Sequence, residues 1–234
     1  KTMNDRVHTL DQTPGYGYGV SAEQRNRVLR NTYWLLALSL LPTVLGAWIG
    51  VATGVTASLN GILGLVVFLG GAFGLMFVIE KTKDSATGVA ALLGFTFFMG
   101  LMLSRLVGYV LGFKNGSELV MMAFGGTAGV FFAMASLSSV IKRDLSGMGK
   151  WLFVGAIVLM VGGIINVFVG SSTGMIVISM LAIGIFSAFM VYDLKRIMDG
   201  GETNYVLATV SLFVSIFNLF TSLLQLFGFA GSDD

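Results

Sequence analysis

The chain has 234 residues, of which 55% are hydrophobic and 11% charged, and its mean hydropathy is +0.86. A soluble domain carries about 25% charged residues, so water is excluded as the solvent for most of this surface. The absence of cysteine excludes disulfides, thiolate metal sites and thiol catalysis; the net charge of +2 says nothing by itself about nucleic acid, and no nucleic-acid partner is expected.

Residues 1–20 contain Pro14 and a Gly-Tyr alternation from Gly15 to Gly19, without apolar periodicity. They read as a flexible tail. The only histidine, His8, lies in it and is expected to be solvated, since metal sites need several ligands close together. Ser21 and Gln24 have capping-box spacing, so a helix is expected to start there. It carries Arg25, Arg27 and Arg30 into the first apolar run. That run is about 20 residues long, too long for a signal-peptide core, and is expected to stay as a span.

Seven spans follow in series: Thr32–Ala52, Leu59–Ile79, Thr87–Val107, Leu119–Ile141, Trp151–Gly170, Met175–Asp193 and Tyr205–Phe227. Each approaches or exceeds the 20 or so apolar residues that cross a bilayer. The expected organisation is a tail over 1–20, an all-α seven-helix membrane domain over 21–229 and a short outer tail over 230–234. Loops are too short to hold a soluble domain.

Basic residues near span ends set the direction of threading. Lys1, Arg6, Arg25, Arg27, Arg30, Lys81, Lys83, Lys142, Arg143, Lys150, Lys195 and Arg196 fall on one side, and only Lys114 on the other, with Arg105 inside the third span. Twelve against one predicts a cytoplasmic N-terminus and, with seven spans, an outer (periplasmic) C-terminus.

Many of the 32 glycines lie within spans. Gly46, Gly50 and Gly54 recur every four residues, as do Gly70 with Gly74 and Gly125 with Gly129. This spacing lets helices approach closely in lipid, within the bundle or between copies in a homo-oligomer.

The seventh span has no glycine between Tyr205 and Phe227. Ser211, Ser215, Asn218, Ser222 and Gln225 follow a 4-3-4-3 spacing, which places them on one helical stripe. Hydrocarbon cannot satisfy these groups, so the stripe is expected to face protein or water. It reads either as interhelical hydrogen bonding or as the lining of a path. Asp193 ends the sixth span just before Lys195 and Arg196. A carboxylate inside a membrane is costly and marks a functional candidate, the bland reading being an interfacial pair with Lys195, Arg196 or another basic residue. Glu80 and Arg105, at the ends of the second and third spans, read as snorkelling groups or as partners of a buried charge. Glu118 marks the start of the fourth span. No phosphate loop, HExxH motif or Ser–His pair occurs, so no enzyme activity, cofactor or metal is expected.

Several longer stretches are more specific: Val28-Leu29-Arg30-Asn31-Thr32-Tyr33, Gly125-Gly126-Thr127-Ala128, Lys142-Arg143-Asp144-Leu145-Ser146, and Gly200-Gly201-Glu202-Thr203-Asn204-Tyr205 leading to Ala208-Thr209-Val210-Ser211-Leu212. Through them the chain resembles the Bax-inhibitor (transmembrane BAX inhibitor motif) family over nearly the whole membrane region. The resemblance implies seven helices with the last one central. It also implies two alternative functions. Some members are pH-sensitive calcium leak channels, in which aspartates on the sixth and seventh helices form a proton-sensitive pair. Asp193 matches the first, but the second falls on Ser215, which cannot share a proton in that way and leaves at most an Asp193–Ser215 hydrogen bond. A bacterial branch of the family partners the membrane-anchored AAA protease FtsH, as substrate and modulator. There the bacterial inner membrane is the expected location, and the tail, with residues such as Asp5, Arg6, Tyr16 and Tyr18, is the segment the protease would engage.

Overall fold

A computed structural model describes residues 19–59 and 61–230. Seven helices account for nearly all of them: α1 (Ala22–Thr53), α2 (Gly61–Thr82), α3 (Ala86–Leu111), α4 (Gly116–Val140), α5 (Met148–Val169), α6 (Ser172–Met198) and α7 (Tyr205–Ala230). All seven are long and apolar enough to cross a membrane. Each expected span falls on one of these helices. α1 begins ten residues before its apolar run, because Ser21 caps it: the Gln24 N–H donates to Ser21 Oγ over 3.1 Å and satisfies one orphan donor of the first turn. At the other end Gly54, with φ 64°, closes the helix through its N–H to the Gly50 carbonyl.

The three glycine runs do different work. Gly46 sits against the Phe97 carbonyl and the Leu101 backbone, Gly50 against Ser104, and Gly100 of α3 against the Thr43 backbone. A side chain at any of these would displace the neighbouring helix, so α1 and α3 form a seam at backbone contact. The third residue of that run, Gly54, packs against nothing and serves as the helix stop. Gly70, Gly74, Gly125 and Gly129 also have open space where a Cβ would stand; they face outward.

α7 is the interior helix. It packs against α1, α3, α4 and α6 and touches α2. Its Leu212, Phe213, Phe217 and Leu224 are buried, as are Ser215 and Ser222 on the polar stripe. Around it, Leu35 and Leu36 of α1, Leu92, Phe95 and Met99 of α3, and Leu194 and Ile197 of α6 complete the main apolar core. Phe95 and Phe213 meet edge to face with centroids 5.8 Å apart, a favoured aromatic geometry. α5 stands outside this arrangement and leans on α6.

Candidate functional site

The end of the bundle where α1 begins collects most of the basic residues, and the last turns of α6 organise it. Met190, Asp193, Leu194 and Ile197 share one helical face and are buried. Tyr192, Lys195, Arg196 and Asp199 share the adjacent face and line a cleft of about 870 Å³. Opposite them stand Arg25 from the first turn of α1 and Lys142, Asp144, Leu145 and Ser146 from the α4–α5 loop. Two of the sequence stretches quoted above, 142–146 and 200–205, thus meet at one place with the start of α1.

Local chemistry holds the cleft open and its walls in place. Lys195 Nζ lies 2.6 Å from Asp199 Oδ1, and Arg196 Nη2 lies 3.0 Å from Glu202 Oε2. Arg25 Nη1 donates to the Met198 carbonyl over 3.1 Å, a cationic group at the C-terminal end of α6 where the helix dipole favours it. Asp144 accepts from the Ser146 N–H at 2.8 Å and from its hydroxyl at 2.9 Å. Those two bonds, with a smaller contribution from the Lys195 charge, hold the Asp144 carboxyl below its usual range. α6 turns into α7 through Gly200, at φ 84°, a conformation that glycine adopts without strain.

Asn204 latches this turn to the rest of the end. Its Oδ1 accepts from the N–H groups of Val206 and Leu207 at 2.9 and 3.1 Å, capping α7. Its Nδ2 donates to Asp84 Oδ1 at 2.8 Å and to the Lys83 carbonyl at 3.3 Å in the α2–α3 loop. One side chain therefore joins two loops that are about 120 residues apart in sequence. Sequence reading missed Asn204, Glu202, Asp199, Asp144 and Lys142 as structural or site groups. The signal available for them was the density of turn residues and acids beside basic ones in 142–146 and 199–204.

Asp193 is 8% exposed, and it forms no hydrogen bond or ion pair among the described residues. The pairing with Lys195 or Arg196, one of the two readings of this residue, is not made: Asp199 and Glu202 take those cations. Arg196 and Glu202 still act on Asp193 electrostatically. The Asp193–Ser215 hydrogen bond is not formed either. Of the polar stripe, Asn218 donates to the Val214 carbonyl and Ser222 to the Asn218 carbonyl of their own helix. Gln225 alone reaches another helix, accepting from Ser179 of α6 at 2.8 Å. Ser215 and Ser222 of the stripe are buried and Ser211, Asn218 and Gln225 half-buried, and their hydrogen bonds serve α7 itself more than its neighbours.

Glu80 pairs with Lys83 at 2.7 Å on the surface. Arg105 lies exposed at the opposite end of the bundle and donates to the Leu59 carbonyl in the α1–α2 loop. Neither joins Asp193. Asp5, Arg6, Tyr16 and Tyr18 lie outside the described residues. Among the described residues no three His, Cys, Asp or Glu side chains gather closely enough to hold a metal ion.

Comparison with known proteins places these features in context. Residues 25–232 match the family model described as inhibitor of apoptosis-promoting Bax1. The modulator of FtsH protease YccA of Escherichia coli K12 is 38% identical over 208 residues, covering 89% of this chain and 92% of that protein. A membrane protein of Vibrio cholerae is 36% identical over 211 residues, covering 90% and 93%. A Pseudomonas aeruginosa protein is 38% identical over 215 residues, covering 91% and 95%.

Proposed function

Because this multi-pass inner-membrane chain belongs to the Bax inhibitor family, we propose that it modulates the proteolysis of other membrane proteins by FtsH. The observation that carries the reading is the 38% identity, spread over nearly the full length of both chains, to a modulator of that protease. In this reading the basic end faces the cytoplasm, as the distribution of lysine and arginine favours. In the same reading the protease engages the chain at its N-terminal segment, residues 1–20, ahead of α1.

The fold supplies resistance to extraction. Force applied through the N-terminus reaches α1 first, and α1 is held against α3 at Gly46, Gly50 and Gly100. Behind it lies α7, the most buried helix of the bundle. A chain that is engaged readily and extracted slowly occupies the protease and spares its other substrates. The test is to delete residues 1–20 and follow the chain and a second FtsH membrane substrate in cells with and without FtsH. The truncated chain is expected to persist and to stop protecting the second substrate. Equal decay and equal protection would refute tail engagement.

One observation favours a second reading, a proton-sensitive calcium leak: Asp193 is buried without a hydrogen-bonding or ionic partner among the described residues. Calcium flux into liposomes, compared between the native chain and Asp193→Asn from pH 6 to 8, tests it. A flux that ignores the substitution would remove Asp193 as the gate.

A further inference from the structure

The cleft at the basic end is accounted for by neither protease engagement nor an ion path through α6 and α7. Its lining carries four cations, Arg25, Lys142, Lys195 and Arg196, against two carboxylates, Asp144 and Asp199. Charge pairing inside the walls is uneven. Lys195 is neutralised by Asp199 and Arg196 by Glu202. Arg25 has only the Met198 carbonyl, which carries no net charge. Lys142 forms no hydrogen bond or ion pair among the described residues, and neither does the Tyr192 hydroxyl, which lines the same space. Asp144 turns both of its oxygens to Ser146 and compensates neither cation directly. Arg25 on α1 and Lys142 on the α4–α5 loop therefore line one opening without an ion-pair partner, and against the charge that Asp144 keeps they leave it one net positive charge, with the Tyr192 phenol as a further donor in the same lining.

The position of the cleft selects among anions. The α4–α5 loop that supplies Lys142, Asp144, Leu145 and Ser146 runs directly into α5, whose Trp151 is 79% exposed. Tryptophan in that setting prefers the headgroup layer of a membrane. Trp34, also exposed on α1, lies nine residues beyond Arg25, about 13 Å along the helix axis. Trp151 favours a headgroup level for the loop side of the cleft mouth, and Trp34 marks where α1 passes from that layer toward hydrocarbon.

We infer that this cleft binds the phosphodiester headgroup of an anionic phospholipid, with Arg25 and Lys142 as the charge-bearing contacts and Tyr192 as a neutral donor. Basic pockets between helices on the side of an anionic leaflet recognise such headgroups, and ionised donors make the stronger hydrogen bonds to phosphate oxygens. The inference does not rest on FtsH engagement. A bound lipid would tie α1, the α4–α5 loop and α6 together at the point where extraction begins.

The experiment uses the full-length chain in a neutral detergent. Native mass spectrometry counts bound lipid, and thermal melting measures stabilisation. The probes are phosphatidylglycerol, cardiolipin, phosphatidylcholine and inorganic phosphate. Phosphatidylglycerol and cardiolipin are expected to bind and to raise the melting temperature, and the other two to leave it unchanged. Lys142→Gln loses no contact of the fold and is expected to weaken anionic-lipid binding about fivefold; Lys142→Gln with Arg25→Gln should remove a second factor of similar size. Lys114→Gln removes one charge from the opposite end and is expected to change nothing. Anionic lipid held equally by the native chain and by Lys142→Gln would overturn the site. Stabilisation by inorganic phosphate, with none by the lipids, would overturn the headgroup as its occupant.

Discussion

α5 and α7 are both long apolar helices, yet they occupy opposite environments. α5 is among the most hydropathic helices, and almost none of its apolar stretch is buried; α7 is less hydropathic, and more than half of its apolar stretch is buried. In water the order would be reversed. In hydrocarbon, lipid tails are as apolar as leucine, so apolar character alone does not draw a helix inward. The helix that goes inside is the one whose polar groups need protein around them and whose neighbours fit it closely. α7 has the Ser215 and Ser222 hydroxyls and the Gln225 amide. α5 presents Trp151, Phe153, Val158 and Phe168 outward and meets only α6 substantially.

That contrast can be broken or sharpened by substitution. The largest effect is expected at the α1–α3 seam. Gly100→Leu must push the Thr43 backbone aside and is expected to cost more than about 4 kcal/mol, seen as loss of folded protein in a melting assay in fixed detergent. Gly74→Leu, on an open face, is expected to stay within about 0.5 kcal/mol. Equal losses from the two would mean that the contact with the Thr43 backbone does not decide the cost. Next comes Leu212→Ala in α7, where a fully buried side chain leaves a cavity at a cost of about 2–4 kcal/mol.

Asn204→Ala removes the cap of α7 together with both bonds to the α2–α3 loop. A loss of about 1–2 kcal/mol is expected, with faster hydrogen exchange confined to residues 199–207 and 82–85. A uniform change across the bundle would contradict a local latch. The smallest effect belongs to Phe153→Ala on α5, where lipid replaces lipid and the shift should not exceed about 0.5 kcal/mol.

Much of this architecture was legible in the residues. Seven apolar runs map onto seven helices, and Ser21 with Gln24 marks the start of the first. The 4-3-4-3 stripe on the last span identified a helix that faces protein. What could not be read is which surface each spacing meets. Gly46 with Gly50 and Gly125 with Gly129 have the same period, yet only the first pair touches another helix. Periodicity gives a face but not its neighbour. Asp193 illustrates the same limit. Adjacent cations pointed to an ion pair, but the helix turns Lys195 and Arg196 to the cleft and Asp193 to the core. Asn204 was silent because its partners, Lys83 and Asp84, come near only when the chain has folded.

The reading of the cleft and of FtsH engagement requires that the basic end face the cytoplasm. Because the chain has no cysteine, single Lys114→Cys and Lys142→Cys variants report the two ends without background. Treated in spheroplasts with a membrane-impermeant maleimide, Cys at position 114 is expected to label at once, and Cys at position 142 only after lysis. Labelling of position 142 in intact spheroplasts, with position 114 protected until lysis, would invert the molecule and contradict the proposed engagement from the cytoplasm.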